Sequence, residues 1–435
     1  MLTKPNRSGA TPDQVDRLLT AAITSDDPYP VYRELRELGP VHTTGRGELL
    51  AVTHAACAEA LRDDVQWKAV GSTRFEHRDV SDGMVYGYQQ LYRTFIALDP
   101  PHHTAQRRAL TRAMAARALA AAEPGIRRLA TARVSALARA IRDHGRADLV
   151  ATLADPYPLQ VLCHILGLPV EDATELLPPA TAAFWMLEPA ATRTHMTATG
   201  TACAALMRHM ERRLAERNVH PHGLLAHLQR AQASSEGLLP AGYAARTAGM
   251  LVIAGSQSVS THLASAVHTL LRHPEQAVRL RDNPDALPGA IEELLRFDPP
   301  VQYAKRRSAR DGVFHGHPVR AGQLLNVAIG AASHDPAVVA DPDRLHLDNP
   351  RTPTLTFGGG IHYCLGAALA RLEIAAVLPA LDREIPRLRA AGPPVRRPGS
   401  MHRQIQEFPV TVSPVPAARS GSPSSLPRTP AHSHP

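Results

Sequence analysis

A chain of 435 residues, 44% of them hydrophobic, is long enough to enclose a large core in one domain or two. Its 48 Lys and Arg against 40 Asp and Glu give a formal net charge of +8, yet no arginine-rich tract interleaves with aromatics and no zinc-finger spacing occurs, so no nucleic-acid partner is expected. No apolar run reaches the ~18 residues of a membrane span, and MLTKPNRSGATPDQ has no signal-peptide core, so the expectation is a cytoplasmic protein without a membrane partner.

In chain order, residues 1–12 read as a flexible leader, 13–412 as a single domain and 413–435, rich in Ser, Pro and Ala, as a disordered tail. DPYPVYRELRELG (27–39) and HAACAEALRD (54–63) carry helical patterns. Residues 64–97 are polar and irregular but hold Trp67, Phe75, Tyr86, Tyr88, Tyr92 and Phe95, and a long loop in a compact protein is often functional. Helical patterning resumes from 104 to about 231, with breaks predicted near Pro156, Pro158, Pro169 and Pro178–Pro179. A long helix is predicted over 243–272, stopping before Pro274, and another over 288–297. Residues 301–328 read as short strands with turns. The fold class expected is mainly α with small β-sheets, without internal repeats.

The long helix contains a misfit. AGSQSVST (254–261) places Gly255 and four hydroxyl residues between apolar segments. Glycine costs a helix interior about 1 kcal/mol relative to alanine, and serine and threonine compete for backbone hydrogen bonds.

The four cysteines, Cys57, Cys163, Cys203 and Cys364, are far apart, which suggests neither a zinc site nor a disulfide framework. Cys364 differs from the rest. Three glycines precede it and a helical pattern follows, so it sits at a helix N-terminus, where unpaired amides and the dipole favour a thiolate. Such a sulfur serves as a nucleophile or a metal ligand.

The string FGGGIHYCLGAALAR (357–371) resembles the haem-binding signature of the cytochrome P450 family, at Phe357, Gly358, Gly360, His362, Cys364, Leu365, Gly366, Leu369, Ala370 and Arg371. Glu293 and Arg296 stand where the family has E-x-x-R, and DPDRLHLD (341–348) resembles the segment whose arginine, here Arg344, completes that ion-pair network. The resemblance covers roughly 14–412. It implies the P450 fold, with haem b between the 243–272 helix and the Cys364 loop, Cys364 as axial iron ligand, and Phe357, Gly358 and Gly366 shaping the loop. LDPPHHTAQRRAL (98–110) resembles the family's C-helix entry. By that match His103 and Arg107, with Arg306 and His362, would bind the haem propionates, consistent with charge-assisted bonds to carboxylates. Electrons would come from a separate ferredoxin and ferredoxin reductase, since the chain has no nucleotide, flavin or iron–sulfur motif. An acidic ferredoxin could dock where Arg108 and Arg112 lie. A monomer is expected.

By the same resemblance, AGSQSVST crosses the distal face of haem. Ala254 and Gly255 match the oxygen-binding groove. Gln257 stands at the acid position and Ser258 at the threonine position of the proton relay. A carboxamide is no proton acid at neutral pH, whereas a serine hydroxyl can still hold a water. Three outcomes stay open: conventional oxygenation through Ser258 and water, radical coupling of an aromatic substrate that supplies its own proton, and a haem-binding sensor or carrier that does not oxygenate. Family position nominates substrate contacts at Gln66, Trp67, Tyr86, Tyr88, Trp185, Val301, Gln302, Gln404 and Ile405. The aromatic rings suit a small aromatic natural-product intermediate. The amides suit a peptide-like one, such as a tryptophan-containing cyclodipeptide.

Overall fold

The computed structural model describes residues 10–71, 90, 92–187, 192–348, 354–397 and 402–413. Residues 1–9 of the leader, 414–435 of the tail, and the candidates Tyr86 and Tyr88 lie outside the described residues.

The molecule is mainly α-helical. Helices α1 (Pro12–Thr24), α2 (Tyr29–Leu38) and α3 (His54–Arg62) pack with a five-stranded sheet near the N-terminus. Thr11 opens α1 by accepting a hydrogen bond from the amide of Gln14, with Pro12 as the first helical residue. The sheet takes β1 (Val41–Thr43), β2 (Leu49–Ala51) and β3 (Trp67–Lys68), and later β5 (Tyr303–Ser308) and β8 (Leu324–Ala328), in the order β1-β2-β8-β5-β3. Its centre is apolar on both faces, with Leu49, Leu50, Leu325 and Val327 buried. Between β5 and β8 runs the hairpin β6 (Gly312–Phe314) and β7 (His317–Val319).

The helical body comprises α4 (His102–Ala113), α5 (Ala116–His144), α6 (Pro156–Leu166), α7 (Asp172–Ala183), α8 (Arg193–Ala215), α9 (Leu224–Ala233), α10 (Tyr243–Arg272), α11 (Pro274–Asp282) and α12 (Leu287–Phe297). After α13 (Ile329–Ala332) and the cysteine loop comes α14 (Ala367–Glu384). A short strand β4 (Ala147–Asp148) pairs with β12 (Pro409–Val412), which also pairs with β9 (Leu388–Ala390), and β10 (Val395–Arg396) pairs with β11 (Ile405–Glu407).

The break predicted near Pro156 is a helix start, whereas the one at Pro178–Pro179 is not a break. Pro156 starts α6 at the position where its missing N–H is no loss, and Pro158 lies in the same first turn. Pro178 and Pro179 sit inside α7. Pro178 is exposed, so water can reach backbone acceptors its ring leaves unbonded.

Helix α10 has 30 residues and runs unbroken through the polar stretch, about 45 Å at 1.5 Å per residue. It joins two cores. Up to Ile253 its apolar side chains pack with Leu162, Leu206 and Phe184 of the α6–α8 layer. From Val259 they pack with Val134 of α5 and Val377 of α14. The polar stretch therefore occupies the junction between cores, where fewer apolar neighbours compete for it.

Glu293 and Arg296 on α12 are 3% and 1% exposed and pair through two 2.7 Å hydrogen bonds. A buried pair survives only when its remaining donors are satisfied. Here Arg296 also donates to the carbonyls of Ser333, Pro342 and Arg344, and the amide of His346 donates to Glu293. The expectation for Arg344 is corrected: it joins this network through its carbonyl, and the residue is exposed, so its charge is not part of the buried pair.

Candidate active site

The loop before α14 is built by glycine. Gly358 and Gly360 have φ of +72° and +62°, a region L side chains rarely adopt. Gly360 is required a second time by space, because a Cβ there would stand 2.6 Å from the carbonyl oxygen of Leu61 at the end of α3. The amide of Cys364 closes the loop on the carbonyl of Phe357 at 2.8 Å. Arg371 anchors it from α14, its guanidinium 4.4 Å from the Phe357 ring centroid and paired with Glu292. Gly366 caps α14, and a Cβ on it would lie 4.0 Å from the Cys364 sulfur.

Cys364 is exposed, whereas Cys57, Cys163 and Cys203 are buried. Its sulfur is open on one side and crowded by protein on the others. That crowding pushes the free thiol's pKa upward, against the amides of Gly366 and Ala367 and the charges of Arg107 and Arg371. The helix-terminus effect expected from sequence is therefore present but outweighed. A thiolate here would come with metal binding, which expels the proton.

A collar of basic side chains flanks the cysteine loop, and of these Arg107 acts on the Cys364 sulfur. His103 and Arg107 project from α4, Arg306 from β5 and His362 from the loop itself. The His103 and His362 rings are 4.6 Å apart, and Arg107 donates to the carbonyl of Tyr363 at 2.5 Å. Burial, then the charges of Arg306, His103 and Arg107, push His362 down to about 3. Burial also lowers Arg306 and Arg107. The carboxylate facing this group is Asp99, 4.0 Å from His362 Nε2, and that nitrogen is buried without a hydrogen-bond partner. One sulfur beside two guanidinium groups, two imidazoles and an orphaned ring nitrogen fits haem b, whose iron takes a thiolate and whose two propionates take cations.

The opposite wall comes from α10. Leu251, Ala254, Gly255 and Ser258 are partly exposed while their neighbours are buried, a spacing that marks one helical face. Leu365, next to Cys364, packs into the same cluster as Leu251 and Ala254. Gly255 is explained by packing, since a Cβ there would meet Leu162 Cδ2 at 3.2 Å. It does not loosen the helix. The Ser258 hydroxyl donates to the carbonyl of Ala254 at 2.6 Å and keeps its lone pairs.

Gln257 points away from this face. It is fully buried, donating to Thr181 Oγ1 at 3.2 Å and accepting from Gln404 Nε2 at 2.5 Å. Its carboxamide ties α7 and the C-terminal strand region to α10.

Most of the nominated substrate contacts are engaged elsewhere. Gln66 donates to Ser308 Oγ and the carbonyl of Arg310, on the outer edge of the sheet. Trp67 is 2% exposed and packs edge-on against Phe314 at 5.1 Å. Gln302 is buried, donates to the carbonyl of Pro299 and fills the space beside Gly330. Gln404 is used by Gln257, and Ile405 belongs to the α5–α14 core. Family position nominated these residues by neighbourhood alone, and partners distant in the chain fix where each side chain goes. Val301 is partly exposed and bridges to His402 across the backbone. Trp185 stacks on His195 at 3.7 Å with the Arg397 guanidinium 4.6 Å from its ring. Family position marks 401–405 and 184–187 as substrate-contact regions without singling out His402, whose ring lies 4.3 Å from that of Phe184.

The Cytochrome P450 family profile matches residues 171–381. Nocardicin C N-oxygenase from Nocardia uniformis subsp. tsuyamanensis is 34% identical over 325 residues, 73% of this chain and 79% of that relative. The chain belongs to the cytochrome P450 family. Among solved structures, CalO2 is 28% identical with a TM-score of 0.80, over 94% of this chain and all of that one. The P450 enzyme CxnD, described for C–S bond formation in chuangxinmycin biosynthesis, is 25% identical with a TM-score of 0.77, over 90% and 96%. As a P450 the protein is an oxidoreductase, and its family implies a haem-thiolate cofactor. No described helix is long and apolar enough to cross a membrane.

Proposed function

We propose that this P450 holds haem b through Cys364, with His103, Arg107, Arg306 and His362 on its propionates, and oxidises a small aromatic natural-product intermediate. The observation that carries this is the exposed Cys364, in a loop flanked by that collar and joined through Leu365 to the cluster of Leu251 and Ala254 on the partly exposed face of α10. Bound haem supplies dioxygen activation. The protein's part is to seat the substrate against Leu251, Ala254 and Ser258, with Phe184, Val301 and His402 as the far wall.

Two observations bear on the product. Ser258 retains lone pairs that can hold a water over the groove, which supports oxygen insertion. Gln257 is withdrawn into the interior, so no acid stands on that face, which supports coupling of a substrate that brings its own proton. The relatives include both an N-oxygenase and a bond-forming enzyme. A tryptophan-containing cyclodipeptide remains a suitable probe on the strength of the aromatic wall alone, since the glutamines are occupied. Electrons reach the site from a ferredoxin and its reductase, docking on the exposed Arg108 and Arg112 of α4, the helix whose Arg107 holds the cysteine loop.

The test is spectroscopic. Reduced protein with carbon monoxide should absorb at the thiolate–haem position, and Cys364→Ala should abolish that band; a band that survives the substitution overturns the reading. Labelled dioxygen found in the product identifies insertion, and loss of two hydrogens without oxygen identifies coupling.

A further inference from the structure

C-terminal to the groove, one side of α10 is polar throughout. Counting on from the partly exposed Ser258 in steps of three or four residues gives Thr261, His262, Ser265, Thr269 and Arg272. That spacing keeps them on one side of a helix. The row starts on the face that carries Leu251 and Ala254 and ends at Arg272, which is exposed in the last turn. It covers about 21 Å at 1.5 Å per residue. Val259, Leu263 and Val267 lie on the opposite side, in the core that α10 shares with α5 and α14.

The middle of the row is buried without hydrogen bonds. Thr261, His262 and Ser265 are 1%, 3% and 1% exposed. Among the described residues, no partner exists for either hydroxyl or for either ring nitrogen of His262. Ser258 turns its hydroxyl back to the carbonyl of Ala254, a bond of the kind that Thr261 and Ser265 do not make. Burial, partly offset by Asp298, pushes His262 down to about 4, so the ring is neutral, with one N–H to donate and one nitrogen to accept. Buried polar atoms are nearly always bonded, to protein or to ordered water, and here no protein atom serves. Side chains three or four residues apart on a helix stand ~5–6 Å from each other. One water making two bonds of ~2.8 Å spans that gap.

We infer that Thr261, His262 and Ser265 hold a file of waters that carries protons from the exposed end of α10 to Ser258. The inference rests on the function proposed above. It supplies what Gln257 lacks, a proton route to the groove, and so favours oxygen insertion. Each member of the file passes on one proton and receives another, so none changes its charge over a cycle. Without substrate, reducing dioxygen fully to two waters takes four electrons from the ferredoxin and four protons, whereas release as hydrogen peroxide takes two of each. A broken file therefore shifts the outcome toward peroxide.

Crystals of the haem-loaded protein should show ordered waters within ~3.2 Å of Thr261 Oγ1, Ser265 Oγ and a His262 ring nitrogen. The substrate-free protein is then reduced through a surrogate ferredoxin and reductase, and the ratio of peroxide released to dioxygen consumed is measured. Thr261→Val combined with Ser265→Ala should raise that ratio at least about twofold with the carbon monoxide band unchanged, and Thr261→Ser, which keeps a hydroxyl, should not. Should the double variant fail to fold, Thr261→Val alone is read in the same way. A dry row in the crystals, a ratio that the hydroxyl-free variant leaves unmoved, or a wild type that already returns nearly all its dioxygen as peroxide each overturns the inference. Failure of the haem reading shows separately, as absence of the carbon monoxide band in the wild type, and the crystal waters still judge the row.

Discussion

Single residues carry the sharpest contrasts in this P450. Glu373 on α14 is 1% exposed, its Oε2 has no hydrogen-bond partner, and burial pushes its carboxyl well above the ordinary value. A raised folded-state value means that the group is harmless to the fold while protonated. Stability is then lost as pH climbs from the unfolded carboxylate range through the folded value, by up to about 1.4 kcal/mol per pH unit. Glu373→Gln removes that titration while leaving a constant cost for the buried amide. Between about pH 5 and about pH 8, the wild-type melting midpoint should fall relative to that of the variant. Parallel curves for the two proteins would show that Glu373 has a partner in solution. Gly360 teaches the complementary lesson. Its positive φ is a backbone demand that any glycine-rich turn announces, but the carbonyl of Leu61 pressing on it is invisible in the local string.

Elements were legible from sequence where periodicity was long, and obscure where it was short. The 243–272 helix stands as read and the 288–297 helix to within one residue, because ten or more residues of consistent pattern outweigh one glycine. The strands around 301–328 were found, yet Gln302 and Trp67, nominated by family position, are buried, since family position gives the neighbourhood of a residue and tertiary contacts decide where its side chain goes. Gln257 shows the limit from another direction. Family position marked it as an oddity in a relay, and its partners Thr181 and Gln404 come from segments far away in the chain. Losing that tie should loosen three elements together. Gln257→Leu leaves two buried polar groups unpaired, at about 1–3 kcal/mol each. Gln404→Leu should cost a similar amount, and the double variant less than the sum of the two, measured by denaturant midpoints. Faster amide exchange should concentrate at the end of α7 and in β11. Strict additivity would mean the two amides do not act as a pair.

At the scale of the whole molecule, two apolar cores share α10 as a common spine, and the partly exposed face of that helix lies at their junction. The same architecture presents α4 outward beside the cysteine loop. Charge reversal at the exposed Arg108 and Arg112 should therefore raise the KM for an acidic ferredoxin by about tenfold, and most of that effect should vanish at high salt. The carbon monoxide spectrum should not change, because neither side chain reaches the collar. A salt-insensitive loss, or a shifted spectrum, would place the docking face elsewhere.

The contact between Gly360 and the end of α3 joins opposite ends of the chain. During synthesis, the first sixty residues leave the ribosome long before the cysteine loop exists. The loop can take its final shape only after almost the whole polypeptide has emerged and closed back on its beginning. If that loop holds haem as proposed, prosthetic-group capture would be a late step of biogenesis. A nascent chain stalled before residue 360 would carry most of the described helices and lack the proposed haem ligand Cys364.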